Sequence, residues 1–209
     1  VLGASQTGKG MYCKQRLSVP HDGVTLVWSW LEATDRYHKF LEAHGNPSTV
    51  TAIPRLCELV SDGWRCIIYV PDKMPRGKLS DREHVAAQFA FFCRIVAECK
   101  HARVLVEELK HVTTPSWAPP AWSALSTAGA HDHLELIATA QRPTMIDKDF
   151  LGNCTEVRSY RLNYEEDARS TGRFLRVPYT DLMDLPDLHY LHRVVRERAT
   201  APGVQQIFA

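Results

Sequence analysis

The first ten residues, VLGASQTGKG, set the pattern G-x-x-x-x-G-K between Gly3 and Lys9, after an apolar stub ending at Leu2 and before a plausible helix from Gly10 to Leu17. That spacing suits one kind of chemistry. Backbone N–H groups of Ser5 to Gly10 can curl around a phosphate, Lys9 can reach its outer oxygens, and the start of the helix adds a favourable dipole. Gly3, Ala4, Ser5, Gln6, Thr7, Gly8, Lys9, Gly10 and Met11 are therefore the expected phosphate cradle. A hydroxyl residue ordinarily follows the lysine and ligates magnesium. Gly10 stands there instead, so either a water takes that role or metal binding is weakened. The alternative is a Gly-rich turn that only opens a helix.

Hydrolysis of a bound nucleotide asks for an acid at the end of a buried strand to hold magnesium, and another to polarise the attacking water. The segment ARVLVEEL, Ala102 to Leu109, offers Glu107 for the metal and Glu108 for the water; the plainer alternative is two acids that end a strand at the solvent. A further apolar run, LELIATAQRP from Leu134 to Pro143, ends in Gln141, an amide suited to sensing a γ-phosphate or positioning a water. Lys73, Arg76 and Lys78 lie in DKMPRGKLSD, an exposed basic loop that is either a contact to a polyanion or a solvated turn. His131 and His133 lack a convergent third ligand and are expected to be ordinary loop residues. The tryptophans, Trp28, Trp30, Trp64, Trp117 and Trp122, are expected in the core or at a subunit interface rather than as base-stacking platforms.

The elements that must position these groups read as an α/β chain. Apolar, β-branched runs at Thr25 to Trp30, Cys66 to Val70, Arg103 to Val106 and Leu134 to Thr139, with a sixth at Val157 to Leu162 after the stub at Leu2, alternate with helical patterns. This predicts a parallel sheet covered by helices. The clearest helix runs from about Arg82 to Lys100, where Val85, Phe89, Phe92, Cys93 and Val96 form one stripe for the sheet. An Asn-capped helix is expected from Asn163 to about Thr171, then a Pro-rich stretch and an edge strand at Val204 to Phe208. The chain has 209 residues, enough for one full domain at about 150 residues per domain, and no linker separates a second. With 25 Lys plus Arg against 24 Asp plus Glu, no global field draws it to nucleic acid or membrane, so any polyanion contact is local. The longest uncharged stretch, His111 to His131, is broken by Pro115, Pro119 and Pro120 and predicts no transmembrane span. The start at Val1, without Met or a basic leader, is expected to be trimmed and to carry no signal peptide, and six scattered cysteines without a CxxC pair are expected to be reduced and mostly buried.

The loop at Gly3 to Lys9 resembles a Walker A motif and Glu107–Glu108 a Walker B acid with its neighbouring catalytic glutamate. Together with T-A-Q-R-P, then MIDKDFL, TEVRSYRL and NYEEDAR, the order of motifs resembles the HerA/FtsK branch of additional-strand P-loop ATPases, from Val1 to about Gly172. Within it the chain is most similar to genome-packaging ATPases of membrane-containing icosahedral viruses and phages. The resemblance implies a three-layer α/β/α sandwich with a mostly parallel, RecA-like sheet. It implies a single P-loop ATPase domain over 1–209, with the core in 1–172 and a C-terminal extension, 173–209, packed on it.

The resemblance further implies ATP and Mg2+ as ligands. Lys9 and the loop amides would hold phosphates, Glu107 together with waters would hold the metal, Glu108 would orient the attacking water, and Gln141 would couple the γ-phosphate to movement of the pore loop. The implied activity is ATP-driven translocation of viral double-stranded DNA into a preformed capsid by a homo-oligomeric ring, in the cytoplasm of an infected cell or on the virion. Proteins of the capsid vertex or virion membrane would be its partners. Lys73, Arg76 and Lys78 would face the DNA, and Arg142, Arg161 and Arg173 are positional candidates for a finger reaching a neighbouring subunit. The rival readings are a filamentous-phage-type assembly ATPase, a non-hydrolysing nucleotide- or DNA-binding scaffold, and, last, a small-molecule kinase.

Overall fold

A computed structural model of the chain describes residues 1–30, 36–73, 80–195 and 199–205. Strands β1 (Val24–Trp28), β2 (Ser48–Val50), β3 (Cys66–Tyr69), β4 (Ala102–Val106) and β5 (Glu135–Ala138) form a parallel sheet in the order β2-β3-β1-β4-β5. Every residue of β3 and β4 is buried, as befits interior strands of a sheet covered on both faces. Alternation sorts their side chains. Leu26, Trp28, Ile67, Tyr69, Val104 and Val106 enter one core, whereas Val27, Cys66, Ile68 and Leu105 enter the other.

Helix α4 (Asp81–Glu98) covers the first face and buries the expected stripe Val85, Phe89, Phe92, Cys93 and Val96. It starts where Ser80 and Glu83 close a reciprocal capping box, the Ser80 side chain accepting from the Glu83 amide and the Glu83 carboxylate from the Ser80 amide. Phe89 and Phe92 meet Trp28 edge-on, with centroids 5.0 and 5.4 Å away, and Trp122 of helix α5 (Pro120–Ala128) packs on Phe89. The opposite face is closed by helix α1 (Lys9–Ser18) through Cys13 and Leu17, and by Tyr37 and Leu41 around the short helix α2 (His38–Leu41). Helix α3 (Ile53–Ser61) joins β2 to β3.

The chain's start occupies a slot beside β5. Leu2 pairs in parallel with Ala140, just past β5, and with Ser159 of strand β6 (Glu156–Tyr160), which follows helix α6 (Lys148–Asn153). The stub thus lies between β5 and β6, so β5 is interposed between it and β4. Strand β6 belongs to a second, antiparallel sheet in the order β6-β7-β8, with β7 (His189–Val194) and β8 (Ala199–Val204) following helices α7 (Glu165–Leu175) and α8 (Tyr179–Met183).

Several sequence expectations need correction. Strands β2 and β7 were not expected, because three residues (STV) and a His/Arg-containing run carry little apolar periodicity of their own; pairing with β3 and β6 supplies what they lack. The terminal strand begins earlier than Val204, at Ala199; it bears Pro202 because it pairs on one side only, with β7, while residues 206–209 lie outside the described ones. Asn163 does not cap α7. The cap position is Tyr164, without a side-chain hydrogen bond, and Glu165, Glu166 and Asp167 complement the helix dipole instead. All six cysteines are free: Cys13, Cys66, Cys93 and Cys99 are buried, whereas Cys57 is exposed and Cys154 half-buried. Among the described residues no helix is long and apolar enough to cross a membrane.

Candidate nucleotide site

The loop before α1 curls because three of its residues adopt positive φ: Gly3 (140°), Gln6 (63°) and Gly8 (123°). Glycine is required twice over. Tyr160, at the end of β6, lies under the loop, so that a Cβ at Gly8 would stand 2.6 Å from its ring and one at Gly3 2.8 Å from its Cβ. The phenol donates to Gln205 Oε1 at 2.8 Å, and Leu188 N–H donates to Thr7 O at 3.1 Å, which ties the antiparallel strands to the underside of the cradle. Helical bonding begins with Met11 and Tyr12, whose amides both donate to Gly8 O, so the amides from Ser5 to Gly10 precede the helical ladder. Lys9 is buried and donates from Nζ to Gly3 O at 2.6 Å and Ala4 O at 2.7 Å. Burial pulls its ammonium below the usual lysine range, and Glu108 opposes that shift.

Lys9 faces a cleft of about 620 Å3 that also receives Ser5, Gln6, Gly8, Gly10, Met11, Glu107, Glu108 and Gln141. The expected loop, acids and amide therefore meet in one place, at the carboxyl ends of the strands. Gly3 and Ala4 enter through the carbonyls that hold Lys9, and Thr7 is buried with its hydroxyl on Ala4 O at 2.8 Å. A second cavity of about 270 Å3, between β5 and β6 beside Leu2, contains none of these acids and neither Lys9 nor Gln141.

The two glutamates differ sharply. Glu107 is 5% exposed, and both its oxygens are engaged: Oε2 accepts from Ser29 Oγ at 3.0 Å, while Oε1 accepts from the Tyr37 hydroxyl and faces Arg36 Nη1 at 3.4 Å. Burial, with Glu107 beside it, raises the Tyr37 phenol well above its ordinary range, so it stays a donor. Glu108 is held in the left-handed region (φ 50°, ψ 60°), which a non-glycine residue adopts at a cost of about 1–3 kcal/mol. Its amide donates to Thr139 Oγ1 and the next amide, of Leu109, to Thr139 O, both at 3.0 Å. Its Oε2 is buried and has no hydrogen bond among the described residues, with Lys110 Nζ 3.7 Å away.

Gln141 opens a turn anchored from beneath. Asp167 of α7, 1% exposed, accepts from Arg142 Nε, from Thr144 N at 3.0 Å and from Thr144 Oγ1 at 2.6 Å. Arg142 also stacks on Tyr164 at 3.9 Å, and Arg161 pairs with Asp187 at 2.8 Å; Arg173 is exposed. Lys73 sits 4.9 Å over the Trp30 ring, which stacks on His111 at 3.8 Å beside the cleft mouth; Arg76 and Lys78 lie outside the described residues. Of the other tryptophans, Trp28 and Trp122 are fully buried, Trp64 is partly buried against the core and Trp117 is 48% exposed.

Sequence reasoning missed Ser29, Trp30, Arg36, Tyr37, Thr139 and Tyr160. Ser29, Trp30, Thr139 and Tyr160 carried one usable signal: each stands at the carboxyl end of a strand, where open α/β sheets place their ligands. Arg36 and Tyr37 carried none, since their approach to Glu107 is a long-range contact.

No family model and no curated protein matches this sequence. Solved structures do match in fold. The genome packaging NTPase B204 from Sulfolobus turreted icosahedral virus 2 in complex with AMPPCP superposes with a TM-score of 0.71 at 13% identity, over 99% of this chain and 96% of that one. Its complex with ATP-gammaS gives 0.69 at 12%, over 96% and 93%. The bacterial conjugative coupling protein TrwBdeltaN70 gives 0.56 at 11%, over 74% of this chain and 44% of that one. The fold is that of P-loop NTPases, a mostly parallel sheet flanked by helices, as the resemblance implied.

Proposed function

We propose that this chain is an ATP-hydrolysing motor that translocates double-stranded DNA during packaging of a viral genome, acting as a homo-oligomeric ring. The observation that carries the reading is the convergence of Lys9, Glu108 and Gln141 on one cleft. The proteins that share its fold, a genome packaging NTPase and a conjugative coupling protein, support the choice among the many uses of that fold. Lys9 and the amides of Ser5 to Gly10 would bind the β- and γ-phosphates. Glu108 is the base candidate. Its Oε2 is held out of bulk water, has no hydrogen bond among the described residues and lies 3.7 Å from Lys110 Nζ, so it can accept a proton as a water oxygen bonds to the γ-phosphorus and the bond to the β,γ-bridging oxygen breaks. Gln141 would orient that water, and the anchor of its turn on Asp167 would carry the γ-phosphate's presence to α7.

Magnesium fits less well. Gly10 supplies no hydroxyl, and the Glu107 oxygens are already engaged by Ser29, Tyr37 and Arg36. That engagement favours one second reading, a scaffold that binds nucleotide without turnover. Steady-state ATP hydrolysis with and without linear duplex DNA, for wild type, Lys9→Ala and Glu108→Gln, separates the two. The motor predicts duplex-stimulated turnover lost in both variants, by about 100-fold or more for removal of a general base. Nucleotide binding without turnover under any condition would establish the scaffold.

A further inference from the structure

Resting on the reading of this cleft as a nucleoside triphosphate site, we infer that Arg36 is a phosphate-binding residue that takes the place of the divalent metal, so that the protein binds metal-free nucleotide. Gly10 lies against the Arg36 side chain. A Cβ built there would lie 2.9 Å from Arg36 Nη2, so the guanidinium occupies the space that a serine or threonine side chain would need. With a hydroxyl residue after Lys9, the guanidinium would have to move from this position. Arg36 Nη1 lies 3.4 Å from Glu107 Oε1, the oxygen that also accepts from Tyr37. The cation that balances this buried acid is therefore a side chain supplied by the same chain.

Charge and geometry agree on the consequence. A divalent ion placed between Gly10 and Glu107 would meet the fixed positive charge of Arg36, with neither protein oxygen available to it. The guanidinium has five N–H donors in a planar fork, and the Glu107 contact uses one edge of it. Arg36 lines the cleft with Lys9 and remains 30% exposed, so its other donors can reach phosphate oxygens as a fork, which a lysine cannot reproduce. A triphosphate in the cleft is neutralised by Lys9 at one side and Arg36 at the other.

The test is calorimetric titration of a non-hydrolysable ATP analogue in excess EDTA and, separately, in millimolar Mg2+, for wild type, Arg36→Ala, Arg36→Lys and Gly10→Ser, with thermal melts to establish that each variant is folded. Wild type binds at least as tightly in EDTA as in Mg2+. Arg36→Ala loses about 10- to 100-fold in EDTA, the worth of a charge-assisted hydrogen bond. Arg36→Lys recovers only part of that, and Gly10→Ser weakens metal-free binding because its side chain displaces the guanidinium. Binding by wild type that requires Mg2+ and is indifferent to Arg36→Ala overturns the inference and leaves the nucleotide site standing. Failure of wild type to bind in either buffer overturns both.

Discussion

Replacing Asp167 with alanine tests whether the turn that carries Gln141 is held in place by a buried carboxylate. Asp167 is 1% exposed and accepts from Arg142, from the Thr144 amide and from the Thr144 hydroxyl. Removing one partner of a buried pair costs about 3–5 kcal/mol, since the other is left uncompensated. Here the low end applies, because Arg142 is 28% exposed and keeps its stack on Tyr164 at 3.9 Å, so water can replace part of what is lost. Alanine's better helix propensity is offset by loss of a first-turn acid. The expected loss is about 3 kcal/mol, or a melting temperature about 6–12 °C lower for a chain of this size. Asp167→Asn keeps an acceptor for Thr144 and should lose about half as much. Urea unfolding of Asp167→Ala, Arg142→Ala and the double variant isolates the pair. Loss for Asp167→Ala under about 1 kcal/mol, or strict additivity of the two single changes, would refute the account.

Gly8→Ala should lose nucleotide binding and at least about 2 kcal/mol of stability, from left-handed strain at φ 123° and a methyl 2.6 Å from the Tyr160 ring; unchanged binding and melting would show that the loop has room. His111 is pushed down to about 4 from 6.5, by burial first and then by Lys110 and Lys73. Because its folded-state value is the lower one, its contribution is whole above pH 6.5 and is lost as pH falls toward 4. Melting temperature followed over that window should fall less steeply in His111→Phe, which keeps the stack on Trp30 without the proton; parallel curves would remove His111 as the cause.

Much of the fold was legible because parallel α/β architecture writes itself in local signals. Buried runs such as RVLV and CIIY, the stripe from Val85 to Val96 and a Gly-rich turn before a helix depend on neighbours in the chain, and the structure has each of them at or near its expected bounds. Strands β2 and β7 were illegible for the converse reason. Their residues have no period of their own and become strands only when β3 and β6 offer a ladder.

The same division runs through the site. The types and order of Gly3, Gly8, Lys9, Glu107, Glu108 and Gln141 are properties of the chain, and so is the substitution of glycine for a hydroxyl at position 10. What surrounds them is not. That Tyr160 closes the loop from below, that Thr139 pins Glu108 in a strained backbone and that Asp167 anchors the turn after Gln141 are contacts across 23 to 157 residues of sequence. Gly10 is the sharpest case. By sequence it is a missing magnesium ligand; only folding brings Arg36 into the vacated space and onto Glu107, because a guanidinium and a buried carboxylate find each other by distance in space, which spacing along a chain does not encode.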